Sequence, residues 1–468
     1  MHHRFAEERN DMLGSMLSWW GWSIVVWLLS AFLPGPFLRN GPGAKPELAE
    51  EPAVAIAITN VTVIDVVNGV HRTGFTVLLR KDRIAAIGPQ VNVPGNATHV
   101  DGRGKFLIPG LWDMHSHHQG TGADSLDLFV AKGIVGTRDM GGDADFILPL
   151  RERVRSGAIL GPEIVASGPM LDDAPAGFPY RRRVTNAIEA RQAVHDLKRL
   201  GVDFIKVHDH TPREAFFAIA DEAPKVGLPF AGHVPMNVTV EEAAEAGMRS
   251  IEHLANYRVF GDCSSGDTYS PQQCTPLFDK LAAQGVWETP TMEFFQTIPD
   301  VFSGAPLPHY EYASDSLLKL TRDNVQLSHI PATVLDKYRL ANRLSLQAIH
   351  DLSVHGNRFL AGCDGLVPGF CLHDELEWLT KAGFTPLQSL QTATVNPARF
   401  LGRETSEGTI ETGMRANLVL LGADPTLNIR NLDQIAAVII RGKLLRKPTL
   451  DRIVARHLRT KNDKGTSQ

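Results

Sequence analysis

The sequence predicts an α/β fold: a (β/α)8 TIM-like barrel carrying a small β-sandwich domain formed from both ends of the chain. Three observations predict it. Between residues 106 and 402, short apolar strands alternate eight times with helical text. Alternating β text is confined to the flanks, 53–105 and 403–447. Five of the eight strands carry His, Lys or Asp at or near their C-terminal ends, where such a barrel opens its active site. The 468 residues are 43% hydrophobic and 21% charged, which allows one large core or two domains. The net charge of −5 and the lack of any basic run exclude nucleic acid as an expected partner.

The elements follow in order. Residues 16–33 carry no charge and are long enough to cross a bilayer as a helix. Trp19, Trp20 and Trp22 lie at their start, where an interfacial belt forms. This reads as an export signal or a membrane anchor, so the protein is expected in the periplasm, outside the cell, or tethered to a membrane. Whether the segment is removed stays open, because no small-x-small site follows it. Residues 34–52, rich in Pro, Gly and Ala, read as a linker. Strand text then fills 55–88 and returns at 408–410, 416–421 and 435–440. The expected domains are therefore 1–52 as segment and linker, 53–105 with 403–447 as the β-sandwich, and 106–402 as the barrel.

The eight barrel strands are expected at 106–117, 134–140, 163–167, 203–207, 229–233, 250–253, 286–291 and 358–364, with helices at 187–200, 213–226 and 240–246 among those between them. No Gly-x-Gly-x-x-Gly follows a strand, which disfavours a doubly wound sheet. Cys263 and Cys274 flank a polar loop and are either a disulfide or two thiols at the surface. Cys363 and Cys371 read as structural or incidental.

The strand ends carry the chemistry. His115 and His117 are two residues apart, so they share one face of a strand, as metal ligands do. Lys206, His233, His253 and Asp364 end or stand on four other strands. Core packing explains such a set poorly; convergence on one site explains it well. Lys206 lies in the apolar run Phe204-Ile205-Lys206-Val207. Burial there favours a neutral amine, which can take up carbon dioxide and become a carbamate bridging two metals. The other reading pairs Lys206 with Asp203 or Asp209.

Those residues resemble the amidohydrolase superfamily. The matching text is 109–117 for its first strand, Gly232-His233-Val234-Pro235, Ile251-Glu252-His253-Leu254 and Ala361-Gly362-Cys363-Asp364 for later strands, and 387–401 with 416–420 for the return into the β-domain. The likeness covers roughly residues 53–445. Asn417 and Cys363 depart from the usual Asp and Thr. The text around Lys206 is similar to the imidazolonepropionase-like and Xaa-Pro dipeptidase (prolidase-like) branch. The resemblance implies two divalent metal ions, zinc in that branch. His115, His117 and Asp364 would hold the more buried ion, His233 and His253 the other, and carboxylated Lys206 would bridge them. It implies hydrolysis of a small amide, such as a dipeptide or N-acyl amino acid, by a metal-bridging hydroxide with Asp364 as general acid and base.

A mononuclear deaminase or a cyclic-amide hydrolase is the alternative, and a non-catalytic, membrane-tethered binding protein is a third class. A homo-oligomer is neither required nor excluded. The stretch 256–286 and the helical text at 310–355 are expected to form a lid or specificity pocket. Tyr257, Arg258, His309 and Tyr310 read as solvated surface residues or substrate contacts. His118, His208 and His210 read as neighbours of the ligands.

Overall fold

The computed structural model describes residues 55–459, apart from 175–179, 262, 264–267 and 329. The apolar segment at 16–33 lies outside the described residues. Among the described residues no helix is long and apolar enough to cross a membrane.

The two ends of the chain meet in one sheet. β1 (Ile56–Ile64), β2 (His71–Arg80), β3 (Arg83–Gly88), β4 (Thr98–Asp101) and β5 (Phe106–Pro109) come from the N-terminal flank. β1 alternates its faces as a strand must: Ile56 and Ile58 enter one core with Val77, Leu79 and Leu107, while Ala57 turns to a second with Leu78 and Ala97.

The barrel follows. Its strands are β6 (Leu111–Ser116), β7 (Ile134–Asp139), β8 (Glu163–Ala166), and, after the short strands β9 (Met170–Asp172) and β10 (Arg181–Arg183), β11 (Ile205–Val207), β12 (Phe230–Gly232), β13 (Ser250–Glu252), β14 (Trp287–Thr289) and β15 (Arg358–Phe359). Neighbours pair in parallel, with Lys206 opposite Ala231 and Ile251 opposite Glu288. Two backbone bridges close the ring. Asp203 N donates to Ala166 O at 2.9 Å, and Met114 N donates to Ala361 O at 2.8 Å.

The chain then returns to the first sheet as β16 (Leu418–Leu421), β17 (Ile435–Ile440) and β18 (Lys443–Arg446). β16 runs antiparallel to β5, with Leu418 opposite Pro109 and Leu421 opposite Phe106. The architecture is the predicted one, a TIM-like barrel with a β-sandwich built from the chain ends.

Two expectations change and two open choices about cysteines close. The single strand expected over 106–117 is two strands. Residues 106–109 pair with β1 and β16, and only 111–116 enter the barrel. Pro109 has no N–H for a ladder, and Gly110 N donates instead to Asn417 O at 2.8 Å, so the chain switches sheets there. An apolar run looks the same on either side of such a switch. Second, residues 408–410 form no strand; pairing waits until Gly413 N meets Ile84 O and Ile84 N meets Met414 O. Cys363 and Cys371 are not incidental but bonded to each other. Cys263 and Cys274 are bonded as well, which settles that choice in favour of the disulfide.

The helix Ala187–Leu200 begins where Asn186 caps the N–H groups of Ile188 and Glu189, and it ends at left-handed Gly201. Thr239 and Glu242 form a capping box at the start of Val240–Glu245. The text at 310–355 contains the helices Asp315–Ser328 and Ala332–Val354.

Candidate metal centre

Each site residue stands at the C-terminal end of a barrel strand or on it. His115 is in β6 and His117 just beyond it, Lys206 is in β11, and His233, His253 and Asp364 follow β12, β13 and β15. The backbone at these ends is unusual. His253, Thr291 and Asp364 take positive φ of 60°, 50° and 54°, and the left-handed run continues from His253 through Tyr257. Such conformations cost about 1–3 kcal/mol each and persist where surrounding structure enforces them, often at functional sites.

The six side chains converge. Asp364 Oδ1 lies 3.3 Å from Nε2 of both His115 and His117, and its Oδ2 is 3.9 Å from His253 Nε2. The His115 and His253 rings are 4.6 Å apart, and those of His253 and His233 are 4.7 Å apart. A ligand atom from each of His115, His253 and Asp364 falls within 4.8 Å of the others.

The other ring nitrogens are all held from outside. His115 Nδ1–H donates to Glu252 Oε2 at 2.8 Å, His117 to Gly141 O at 3.2 Å and His233 to Asp209 Oδ1 at 2.9 Å, while His253 Nδ1 pairs with the Thr291 hydroxyl at 2.7 Å. The acceptor oxygens behind His115, His117 and His233 set the tautomer that leaves each Nε2 lone pair free, and the Thr291 hydroxyl orients the His253 ring.

Lys206 settles part of its own ambiguity. Asp203 is occupied by Arg151 at 2.7 Å and by Ala166 N at 2.8 Å. Asp209 receives His233 and Asn256. Lys206 Nζ is buried with no hydrogen-bond partner, and so is His115 Nε2. Burial is the largest influence on Lys206 and lowers its pKa to about 8. Its stem needs Gly232, which takes φ of 135°; a Cβ there would lie 2.8 Å from Lys206 Cδ and 2.2 Å from Val207 O. Gly362 serves the first strand similarly, since a Cβ there would sit 2.6 Å from His115 Cβ.

Burial and neighbouring charge shape the imidazoles and carboxylates. Desolvation and the Lys206 charge hold His115 well below the ordinary histidine range, and desolvation does the same to His253. Burial also opposes charge on His117, but Asp364 outweighs it and raises that ring. Asp364 is itself held low, because His253 and His117 overcome its desolvation. An inward set of largely neutral imidazoles, one ionised carboxylate and two orphaned buried nitrogens fits divalent cations.

A buried network supports the centre that sequence reading passed over. Arg138, only 1% exposed, donates to Glu252 at 2.9 and 3.0 Å, to Met114 O at 2.6 Å and to Ser250 Oγ at 2.8 Å. Glu252 thereby links a fixed cation to His115. The signal was present in the text, since an arginine inside the run Gly136-Thr137-Arg138-Asp139 needs a buried partner.

The flanking residues sort differently from expectation. His118 is fully buried and bonds Thr137 Oγ1 at 2.8 Å, away from the centre. His208 stacks 4.0 Å from His233 and, with His210, faces Asp172, which Arg181 pairs at 3.0 Å. Three of the four residues read as solvated are engaged inside the fold. The Tyr257 hydroxyl donates to Asn342 Oδ1 at 2.6 Å, Arg258 to the carbonyls of Val234 and Pro235, and His309 meets Asp374 at 2.7 Å. Tyr310 stays exposed.

Comparison with known proteins agrees with this fold. The family model described as "Amidohydrolase family" matches residues 106–445. A deacetylase from Agrobacterium fabrum is 31% identical over 130 residues, which is 25% of this chain and 32% of the deacetylase, so that match spans about a third of the relative. An imidazolonepropionase from Rubrobacter xylanophilus is 27% identical over 400 residues, 78% of this chain and 89% of its own length. Among solved structures, a putative prolidase from Bifidobacterium longum superposes with a TM-score of 0.65 at 23% identity, covering 87% of this chain and all of that one. With the family model spanning the whole barrel and the return into the end sheet, the chain belongs to the amidohydrolase family.

Proposed function

We propose that this protein is a metal-dependent hydrolase that cleaves the carbon–nitrogen bond of a small amide, a dipeptide or an N-acyl amino acid. His115, His117 and Asp364 would hold one divalent ion, and His233 and His253 a second. Lys206, carboxylated by carbon dioxide, would lie between them. The observation that carries this reading is the buried Lys206 Nζ, which has no hydrogen-bond partner and whose stem crosses β12 where Gly232 lacks a side chain. Glu252, Asp364 and Asp209 lie near enough to favour the ammonium, but burial outweighs them; a buried amine with no hydrogen-bond partner is costly when charged, and a carbamate turns the same position into an anionic ligand.

Bound there, zinc or a similar cation lowers the pKa of water and polarises an amide carbonyl. The chain's own residues do the rest. Asp364, held ionised and 3.3 Å from both His115 and His117, accepts the proton of the attacking water and passes it to the departing nitrogen. Glu252, Gly141, Asp209 and Thr291 keep the four rings oriented throughout.

The test counts metal and carbamate together. Protein grown with zinc and bicarbonate is expected to hold two ions per chain, to show Lys206 heavier by one carbon dioxide in a native spectrum or crystal, and to lose both on Lys206→Ala. One ion per chain with an unmodified lysine would replace this reading with a mononuclear deaminase or cyclic-amide hydrolase.

We also propose that residues 16–33 direct the chain out of the cytoplasm. Two disulfides among the described residues support this, since such bonds persist in oxidising compartments. Fractionation of cells carrying the tagged full chain tests it. Recovery in the cytosol with reduced cysteines would overturn it.

A further inference from the structure

An apolar cavity opens directly off one side of the metal centre. Phe294, Ile298 and Val301 line it from the helix Met292–Phe302, which follows β14. Their spacing of four and three residues puts them on one helix face. Leu317 and Leu320 face them from the helix Asp315–Ser328, and Leu366 closes the end just past β15. The cavity is narrow and opens to solvent on one side. Its polar edge is His117, Asp364 and Thr321; His233, His253 and Lys206 do not touch it. No lysine, arginine or glutamate borders it, so a charged group entering would find no buried counter-charge other than the centre itself.

The placement on the Asp364 side has a chemical meaning. In the reading above, on which this inference rests, Asp364 hands its proton to the departing nitrogen. Asp364 meets the attacking water first and the nitrogen second, so a side chain on the nitrogen lies on this side when that nitrogen turns to Asp364 for the proton; the two substrate series below separate it from a side chain on the acyl carbon. We infer that the departing amine carries a bulky apolar side chain, aliphatic or aromatic, and that this cavity receives it. The substrate class narrows to N-acyl amino acids and dipeptides whose amine-side residue is of the leucine or phenylalanine kind. Glycine leaves the cavity empty, and aspartate or lysine would bring an unpaired charge into it.

Two substrate series on the zinc-loaded full chain test this. The first keeps an acetyl group and varies the amine residue through Gly, Asp, Leu and Phe. The second keeps glycine and varies the acyl group through acetyl, isovaleryl and phenylacetyl. We expect kcat/KM to rise roughly 10–100-fold from Gly to Leu or Phe in the first series and to change little in the second. Val301→Arg, or Leu320→Arg on the half-exposed wall, should bring the Leu-to-Gly ratio toward one. A steeper response to the acyl series, or no preference in either, overturns the inference.

Calorimetric binding of L-phenylalanine and glycine separates this from the failure of the hydrolase reading. At least tenfold tighter phenylalanine binding, lost in Leu320→Arg, upholds the cavity assignment even if neither series turns over; that outcome removes the proposed activity alone. Equal binding of the two amino acids removes the cavity assignment whether or not amides are cleaved.

Discussion

Asp364 is where charge, backbone and chemistry meet in a single residue. At a φ of 54° its carboxylate sits among three imidazoles, and His253 and His117 keep it ionised against its burial. Asp364→Asn should leave metal content measurable while lowering kcat by ~10²–10⁴-fold, the usual range for a lost acid–base group. Turnover within tenfold of wild type, with metals counted by mass spectrometry, would remove that role. Glu252 is the next residue to test. Glu252→Gln takes away the acceptor charge behind His115 and leaves Arg138 without its buried partner. Zinc affinity, read by chelator competition, is expected to fall about 10–100-fold.

Glu375 makes a pH prediction. It is fully buried, one oxygen accepts from Glu293 N at 2.7 Å, the other has no partner, and burial raises its pKa to about 8. The unfolded chain releases that proton near 4.5. Between those values the folded state binds more protons than the unfolded one, so this group's contribution is fully present below about 4.5 and is lost as pH rises toward 8. The wild type should therefore lose stability across that window, by an amount on the order of a few kcal/mol from this residue. Glu375→Gln should flatten the loss. Thermal midpoints at pH 5 and pH 8 for the two proteins decide it, and parallel curves would count against a buried protonated Glu375.

At the scale of the element, the strand ends act as one device. Short parallel strands bring side chains to one rim, and beyond two of them the backbone turns left-handed at the ligand itself, at His253 and at Asp364. β12 shows how little slack remains. Gly232 is the place where the backbone crosses the Lys206 stem, and a methyl group would collide with Val207 O. Gly232→Ala should cost at least about 1–3 kcal/mol, and reduce bound zinc along with it, because the strain falls on a ligand strand. Urea denaturation and metal analysis check it; an unshifted midpoint would show that the crossing relaxes freely. The Cys363–Cys371 bond works at the same scale. It closes the short loop that carries Asp364 and Leu366, tying the eighth strand end to the helix Phe370–Lys381.

Over the whole molecule, the legible part of the sequence was the part governed by short-range period. Strand ends at 115, 117, 233, 253 and 364 could be read because alternation and length mark a buried strand wherever it lies. The helix at 187–200 could be read because its cap and its terminal glycine are local. The break at Pro109-Gly110 could not, since one continuous apolar run serves two sheets and only the partners β1, β16 and β7 divide it. Nor could the short strands β9 and β10, whose three-residue lengths carry no period.

The same division applies to the site. Residue type and strand position alone brought the six candidate ligands together on one rim, because a parallel barrel has one mouth. Tertiary structure decided what surrounds them. It placed Asp203 and Asp209 with other partners and left Lys206 Nζ without a hydrogen bond, set Glu252 and Arg138 beneath His115, and walled one side with Phe294, Ile298 and Val301. Those facts depend on which distant segments share a few ångströms of buried space. Periodicity carries no record of that, because desolvation and pairing are properties of the packed neighbourhood and not of the residue.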